Sequence, residues 1–345
     1  YQRFSQQMGC GIPSNLEKQW FEAARQGDVE FLEQYVGLLK TKTDKRKPEP
    51  EFGIYSGFSA IHYAIACEQF RTVKFLLDYE YFCRLPFDVL IQAPTIGPKA
   101  SFVLREGANI QHLSFLVNNA RISELILNFQ PDSQHTLVGL PDRQGLFSVS
   151  VLCMVQTSED SLRLLHSARM TEEFLLAAHQ EPSPIHLAAM FGRFALLEHF
   201  LELIKTGQEF DTKLVLLKMV LRPFKNVNPL QQSQILMEKQ KCGCGAEERK
   251  RATAALSELV EIALQQFQGG EGEEAQVVLQ FKNSLTRPQV AKQIDNVFED
   301  ARGRFNGEEV ENEVERFEDE PIIIRRSGQV TARFGVKTLT LDDDV

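Results

Sequence analysis

Between residues 184 and 201 the chain reads Pro184-Ile-His-Leu-Ala-Ala-Met-Phe-Gly-Arg-Phe-Ala-Leu-Leu-Glu-His-Phe-Leu201. The small side chains of Ala188 and Ala189 predict a first helix that a neighbouring helix can approach closely. Gly192 predicts a tight turn, because a residue without a Cβ atom adopts the left-handed backbone conformation easily. Apolar residues at helical spacing then predict a second helix. Two helices of this length cannot bury both faces alone, so the segment predicts copies of itself on either side.

Several other segments resemble this helix pair. The clearest begins at Ala60-Ile61-His62-Tyr63-Ala64-Ile65, and an earlier one runs from residue 16 to residue 36. Two degenerate copies follow, one beginning at His112 and one led by Asp142-Arg143-Gln144-Gly145. Together with residues 184–201 these copies predict an all-α fold in which about five irregular helix pairs are stacked.

The opening of the clearer units resembles the Thr-Pro-Leu-His-x-Ala signature of ankyrin repeats. The resemblance implies an ankyrin-repeat solenoid over residues 14–205. It also implies structural roles for the signature positions, where the histidine rings hydrogen-bond the backbone between repeats. These positions are Ile61, His62, His112, Ile185, His186, Ala188, Ala189 and Gly192.

The copies are spaced unevenly. The positions equivalent to the signature histidine are Phe21, His62, His112, Ser150 and His186, which lie 41, 50, 38 and 36 residues apart. Because the usual ankyrin period is about 33 residues, long inserted loops are expected near 38–57 and 79–106. The first loop is basic over Lys40–Lys47, and we expect it either to be solvated or to touch an acidic surface. The second is rich in Phe, Tyr and Pro, so we expect it to pack onto the solenoid, with an exposed contact surface as the alternative.

The rest of the chain departs from the repeat pattern. Helical periodicity over residues 206–305 predicts a helical C-terminal domain or a non-ankyrin extension of the solenoid. Residues 306–345 are predicted to form an acidic tail with a β-hairpin that turns at Ser327-Gly328. Residues 1–13 are expected to be disordered or not native to the protein. In composition, the Glu-rich block Glu308–Glu320 resembles the translocation signal on substrates of bacterial type IV secretion systems, many of which carry ankyrin repeats.

Composition narrows the class of protein further. The chain of 345 residues has a net charge of -9, which argues against nucleic acid as the main partner, because phosphate binding needs a basic face. No apolar run approaches the ~20 residues of a membrane span, so no transmembrane segment is expected. Six cysteines in a chain of this length suit a reducing cytoplasm. Cys242 and Cys244 lack further ligands at zinc spacing, so neither a metal nor another cofactor is expected.

No familiar catalytic motif is present in the sequence. It contains no Gly-x-Ser-x-Gly, His-Glu-x-x-His, Gly-x-x-x-x-Gly-Lys or Gly-x-Gly-x-x-Gly. No catalytic residue is therefore assigned. A dyad of Cys83 with His112 or His135, formed through the inserted loops, is the alternative that the sequence leaves open.

The leading hypothesis is therefore a protein–protein interaction module that binds a host or cellular protein through its turn tips and first helices. The candidate partner-binding residues are Tyr55, Phe58, Arg143 and Gln144. The irregular repeats, long insertions and acidic block favour a bacterial effector that is secreted into the host cytoplasm. Two alternatives stay open: an effector whose repeats target an unrecognised catalytic region, and a eukaryotic cytosolic ankyrin scaffold. The sequence favours a binding protein over an enzyme.

Overall fold

The structure is a computed structural model. It describes residues 14–96, 101–131, 137, 139–155, 159–165, 168–178, 180–206, 210–223, 228–231, 246–268, 270, 272–285, 323–326 and 329–332. Most of these residues are helical, and two antiparallel pairs of strands add a small β component. The chain is therefore mainly α-helical, as predicted.

The helices lie in the regions that the sequence periodicity indicated, with one addition at residues 168–177. Their bounds are α1 Ser14–Gln26, α2 Val29–Leu39, α3 Ala60–Ala66, α4 Phe70–Glu80, α5 Ile110–Val117, α6 Ala120–Asn128, α7 Ser148–Leu152, α8 Glu159–Leu164, α9 Ala168–Ala177, α10 Pro184–Met190, α11 Phe194–Thr206, α12 Phe210–Leu221, α13 Ala246–Gln266 and α14 Glu273–Leu285. The helix predicted at 229–240 lies mostly outside the described residues, and the one predicted at 287–302 lies entirely outside them.

Consecutive helix pairs lie side by side. Helices α1, α3, α5 and α7 pack successively against one another, and so do α2, α4, α6 and α8. Helix α10 continues the first row by packing against α7, and it pairs with α11. Beyond α11, helix α13 packs on both α11 and α12, and α14 packs on α12. The C-terminal helices therefore extend the hydrophobic core of the helix pairs.

A residue with positive φ follows the first helix in several of the pairs. Gly27, Glu68, Asn118 and Gly192 have φ angles of 82°, 57°, 62° and 64°. The left-handed turn predicted at Gly192 is therefore present. Glycine and asparagine adopt this conformation readily, whereas Glu68 adopts it although its Cβ atom disfavours it.

The first helices are buried on every side. Residues 60–65 of α3, 110–116 of α5, 148–152 of α7 and 184–190 of α10 are all buried. The second helices keep one face in solvent, and α4, for example, exposes Arg71, Lys74, Asp78 and Tyr79. In a stack of only two layers, each helix would expose one face to solvent. Because the first helices expose none, a further layer must cover them.

The two inserted loops contribute to that layer. The first contains a turn of 3-10 helix at Pro50–Phe52 and buries Asp44 and Phe58. The second forms an antiparallel hairpin of β1 (Val89–Gln92) and β2 (Ser101–Leu104), in which Val89 lies opposite Leu104. Most side chains of this hairpin are buried. The second loop thus packs onto the helices, as predicted.

Near the C-terminus two further strands form a hairpin. Strand β3 (Ile323–Arg326) pairs antiparallel with β4 (Gln329–Ala332), and Ala332 pairs with Val89 of β1 in parallel. The predicted turn residues Ser327 and Gly328 lie outside the described residues, as do residues 1–13 and the acidic block 308–320. Among the described helices, none combines the length and apolarity that crossing a bilayer requires.

Candidate partner-binding surface

His62 and His112 each close a capping box at the start of a first helix, and the ring of His186 contacts the N-cap serine of α10. Nδ1 of His62 lies 2.8 Å from Oγ of Ser59, and Nδ1 of His186 lies 2.7 Å from Oγ of Ser183. Nδ1 of His112 accepts from the backbone N–H of Asn109 at 3.3 Å. The sequence analysis missed these capping partners, although the signal was available as a Ser or Asn three residues before each histidine.

The histidine rings belong to the interior of the fold. Burial lowers the pKa of His62 to about 3 and that of His112 to about 4, so both rings are neutral near pH 7. Nε2 of His112 donates to the carbonyl oxygen of Leu146 at 2.9 Å, which joins α5 to the loop that leads into α7. A buried, neutral and hydrogen-bonded ring supports the stack and is not available to a partner.

The first inserted loop is fixed to α1 and α3 by a partly buried ionic network, in which Asp44 is buried and Arg46 and Glu22 are partly exposed. The carboxylate of Asp44 accepts from the Tyr63 hydroxyl at 2.7 Å and from Nε of Arg46 at 2.8 Å. Arg46 also donates to Glu22 of α1 at 2.8 Å. Arg46 therefore points inward, and the predicted basic run loses one of its charges, whereas the lysines at 40, 42, 45 and 47 remain exposed.

The second inserted loop crosses the ends of three first helices. Thr95 Oγ1 donates to the carbonyl oxygen of Leu116 in α5 at 2.6 Å. Arg193, which follows α10, donates to the carbonyl oxygen of Ile96 at 3.0 Å and to that of Met154, just after α7, at 2.8 Å. These bonds anchor the loop along the face that the sequence analysis had assigned to a partner.

The structure places the four predicted partner-binding residues in different environments. Phe58 is fully buried, with its ring 5.4 Å from the rings of both His62 and Tyr63, so its predicted contact with a partner is wrong. Tyr55 is partly buried, and its hydroxyl bonds the backbone of Gln92. Both residues are covered because the inserted loops pack on the face that the first helices of the pairs form. The prediction had taken this face to be exposed to solvent.

Arg143 and Gln144 remain accessible at the turn before α7. Both side chains are exposed, and Arg143 forms an ion pair with Glu106. The predicted set therefore combines two exposed residues with the partly buried Tyr55 and the buried Phe58.

Cys83 is in an environment that disfavours catalysis by its thiol. Burial, together with the nearby Glu80 carboxyl, raises its pKa to about 12, so the thiol is protonated near pH 7 and is a poor nucleophile. His135, Cys242 and Cys244 lie outside the described residues. Within the part of the chain that the structure describes, no group of three or more His, Cys, Asp or Glu side chains is placed to hold a metal ion.

Two buried glutamates cap the first helices, and the sequence analysis did not find them. Glu80 accepts from the backbone N–H groups of Thr41 and Ile61, both at 2.8 Å. Glu173 of α9 accepts from the backbone N–H of Ser148 at 2.9 Å and from its hydroxyl at 2.7 Å. Burial raises the pKa of each glutamate to about 7. No local pattern distinguishes them from exposed glutamates, because their role depends on helices that are distant in sequence.

Apolar and basic side chains are exposed to solvent at the ends of α2 and α4. Leu38, Tyr79 and Phe82 are 62%, 40% and 45% exposed. Lys40 Nζ lies 6.0 Å from the centroid of the Tyr79 ring, and Lys42 is exposed two residues further on. We call these five residues the lysine–aromatic surface. Contiguous exposed apolar patches mark interaction sites, and aromatic residues are enriched in protein interfaces.

No protein-family model matches this chain, and no curated protein matches it either. The packed helix pairs and the lysine–aromatic surface are therefore the observations from which its function is inferred.

Proposed function

We propose that this chain is a protein-binding module built from ankyrin-type helix pairs. The repeated openings with a capped histidine, the left-handed turns and the two rows of helices support the ankyrin assignment. The observation that carries the binding function is the lysine–aromatic surface, which exposes three large apolar side chains at the ends of α2 and α4 and places Lys40 over the ring of Tyr79. A monomeric protein gains nothing in stability from leaving such side chains in water.

The proposed recognition surface lies on the second helices instead of the first-helix face. The insertions are hydrogen-bonded to α1, α3 and α5 across that face. A partner would have to displace this partly buried ionic network before it could contact the first helices. The ends of α2 and α4 can be contacted without any rearrangement. Action in a host cytoplasm, as a secreted bacterial effector, stays a prediction from the composition of residues 308–320.

Substitution of the exposed aromatics tests this proposal. We expect Tyr79→Ala with Phe82→Ala to weaken capture of a cellular partner by about 30-fold, because buried aromatic anchors contribute 2 kcal/mol or more to an interface. The measurement is affinity capture from cell lysate with quantitative mass spectrometry. The control is Arg143→Ala with Gln144→Ala, which also changes exposed residues and should leave capture intact. Unchanged capture by the aromatic variant would refute the proposed surface, and loss of cellular effect in Cys83→Ala alone would favour the enzyme alternative.

A further inference from the structure

Helix α14 and the end of α13 enclose an apolar groove of about 620 Å³. Leu264, Phe267, Val278 and Leu279 all line this one groove. Phe267 is buried, whereas Leu279 is 58% exposed. Apolar side chains that stay in solvent around a groove are typical of an interaction site, so this part of the molecule suits an apolar ligand.

One ridge of α14 carries an acid and a base with a valine between them. Glu274, Val278 and Lys282 are four residues apart, so their side chains follow one another along the same side of the helix. Val278 and Lys282 line the groove, and the carboxylate of Glu274 lies against Gly270, which also lines it. Neither Glu274 nor Lys282 forms an ion pair with another of the described residues.

This ridge is complementary in charge to a second copy of itself that runs antiparallel. With a two-fold axis at Val278, Glu274 of each copy faces the partner's Lys282, because both positions are four residues from the axis. Leu279 is one residue from the axis and is brought against the apolar groove of the other copy. A single axis therefore pairs both charges and covers the exposed leucine.

We propose that α14 docks antiparallel on α14 of a second copy of this chain, with Leu279 seated in the groove of the other copy and two reciprocal ion pairs between Glu274 and Lys282. The interface uses none of the residues of the lysine–aromatic surface, and it does not rest on the proposed function. The dimer presents that surface twice, which strengthens binding to a partner that has two sites.

The contact is small, so the dimer is expected to be weak. Helix α14 has 13 residues and is about 20 Å long. A standard protein interface buries about 800 Å² on each partner, and one helix with the end of another provides less than that. We therefore expect a dimer that dissociates on dilution, in which the two ion pairs and Leu279 have a measurable effect on the affinity.

Sedimentation velocity of the full chain over a range of concentrations tests the interface. Lys282→Glu and Glu274→Lys each replace two attractive pairs with two repulsive ones, because the symmetry repeats every contact. We expect either change alone to weaken self-association about tenfold. Circular dichroism confirms that the variants keep the helical content of the wild type.

A mixture of these two variants gives the sharper readout. The Lys282→Glu copy carries acids at both positions and the Glu274→Lys copy carries bases at both, so a mixed dimer restores the two ion pairs. We expect the equimolar mixture to associate at least as tightly as the wild type, although each variant alone does not. A change in the stability of α14 would not be rescued by mixing.

The apolar contact has its own test and control. Leu279→Ser should weaken self-association at least tenfold, because a buried leucine is lost from both copies. Leu176→Ser, which changes a leucine of α9 that is 45% exposed, should associate like the wild type. Lys74→Glu, at an exposed position of α4, is the matching control for charge.

Three results overturn the proposal. The first is a wild type that stays monomeric at every concentration. The second is a dimer that Lys282→Glu, Glu274→Lys and Leu279→Ser leave unchanged, which assigns self-association to another surface. The third is an equimolar mixture that associates no better than its components, which excludes the antiparallel pairing. Loss of the dimer with partner capture intact leaves the proposed function standing.

Discussion

Glu80 and Glu173 each place a carboxyl group against the first turn of a neighbouring helix, where backbone N–H groups need acceptors. Burial opposes the ionised form and raises the pKa of each to about 7. The two effects compete. Each carboxyl group accepts hydrogen bonds from backbone N–H groups that would otherwise be buried without a partner. At neutral pH, however, the burial of its negative charge lowers the stability of the fold.

Glu80→Gln should change the dependence of stability on pH. The folded pKa of about 7 lies above the ordinary value of 4.5, so the folded state binds more protons between these limits. The stabilisation from protonated Glu80 is complete below about pH 4.5 and is lost as the pH rises through 7. The unfolding free energy of the wild type, relative to Glu80→Gln, should therefore fall by up to about 3 kcal/mol between pH 4.5 and pH 8.

Urea unfolding of both proteins at several pH values measures this difference. The comparison with the variant cancels the opposite contribution of His62 and His112, whose lowered pKa values make the fold lose stability as the pH falls below about 6.5. A free-energy difference that stays constant with pH would show that Glu80 keeps an ordinary pKa.

Two histidines that are equivalent in sequence should differ in their contribution to stability. His112 donates from Nε2 to the Leu146 carbonyl, whereas Nε2 of His62 has no hydrogen-bond partner among the residues that the structure describes. His112→Ala should therefore destabilise the protein by about 1 kcal/mol more than His62→Ala, which is the net value of one hydrogen bond. Denaturant unfolding at pH 8, where both rings are neutral, measures the two losses. Equal losses would mean that the link between α5 and the following loop contributes little.

At the scale of single elements, local sequence patterns predicted the helix pairs well. Their apolar spacing and the turn at Gly192 depend on residues close together in the chain. Helix α9 was not predicted, because the sequence around residues 168–177 matches the repeat pattern only poorly. The position of the loops was also not predictable, since the bonds that fix them join residues as far apart as Ile96 and Arg193.

The predicted contact of Phe58 with a partner was also wrong because the burial of this residue depends on contacts that are distant in the chain. An aromatic residue in a long loop has no local signal that tells whether it faces solvent or core. Here the Asp44 carboxylate accepts a hydrogen bond from Tyr63 of α3. This bond holds the first inserted loop against α3, where Phe58 is buried. Phe58 therefore lies in the core, and the exposed aromatic residues Tyr79 and Phe82 at the end of α4 were not named as candidates.

Arg193→Ala should release the second inserted loop from the helices. The guanidinium group of Arg193 joins the carbonyl groups of Ile96 and Met154, and hydrogen bonds from a charged donor are worth about 1.5–3 kcal/mol. We expect a loss of about 2 kcal/mol and faster amide hydrogen exchange in residues 89–96 and 101–104. Arg71→Ala, at an exposed position of α4, serves as the control. Unchanged exchange in the hairpin would show that the loop is held by other contacts.

At the scale of the whole molecule, the hydrophobic core runs without interruption from α1 to α14. Each helix pair is stabilised by its neighbours, so damage inside one interface spreads to the next pair. The first helices are the most sensitive part of this arrangement, because they contact second helices on one side and inserted loops on the other.

Ala188→Asp should destabilise the whole stack. Ala188 is fully buried in α10, and an aspartate there would be an unpaired charge without water. The expected cost is about 3–5 kcal/mol. Ala254→Asp makes the same change at an exposed position of α13 and should alter stability by about 0.5 kcal/mol or less. Thermal melting followed by circular dichroism compares them. If both variants melt like the wild type, α10 does not lie within the stack.

The link between Ile96 and Arg193 also sets the order in which the molecule is completed during its synthesis. The two residues are 97 positions apart, and a ribosome adds about 5–20 residues per second, so the β1–β2 hairpin waits roughly 5–20 s for the arginine that holds it. Throughout that interval the loop at Ile96 has only its contacts with earlier residues, such as the hydrogen bond from Thr95 to the Leu116 carbonyl of α5. The N-terminal helix pairs can therefore pack as they emerge, but the second inserted loop gains its complete set of hydrogen bonds only after α10 has been made.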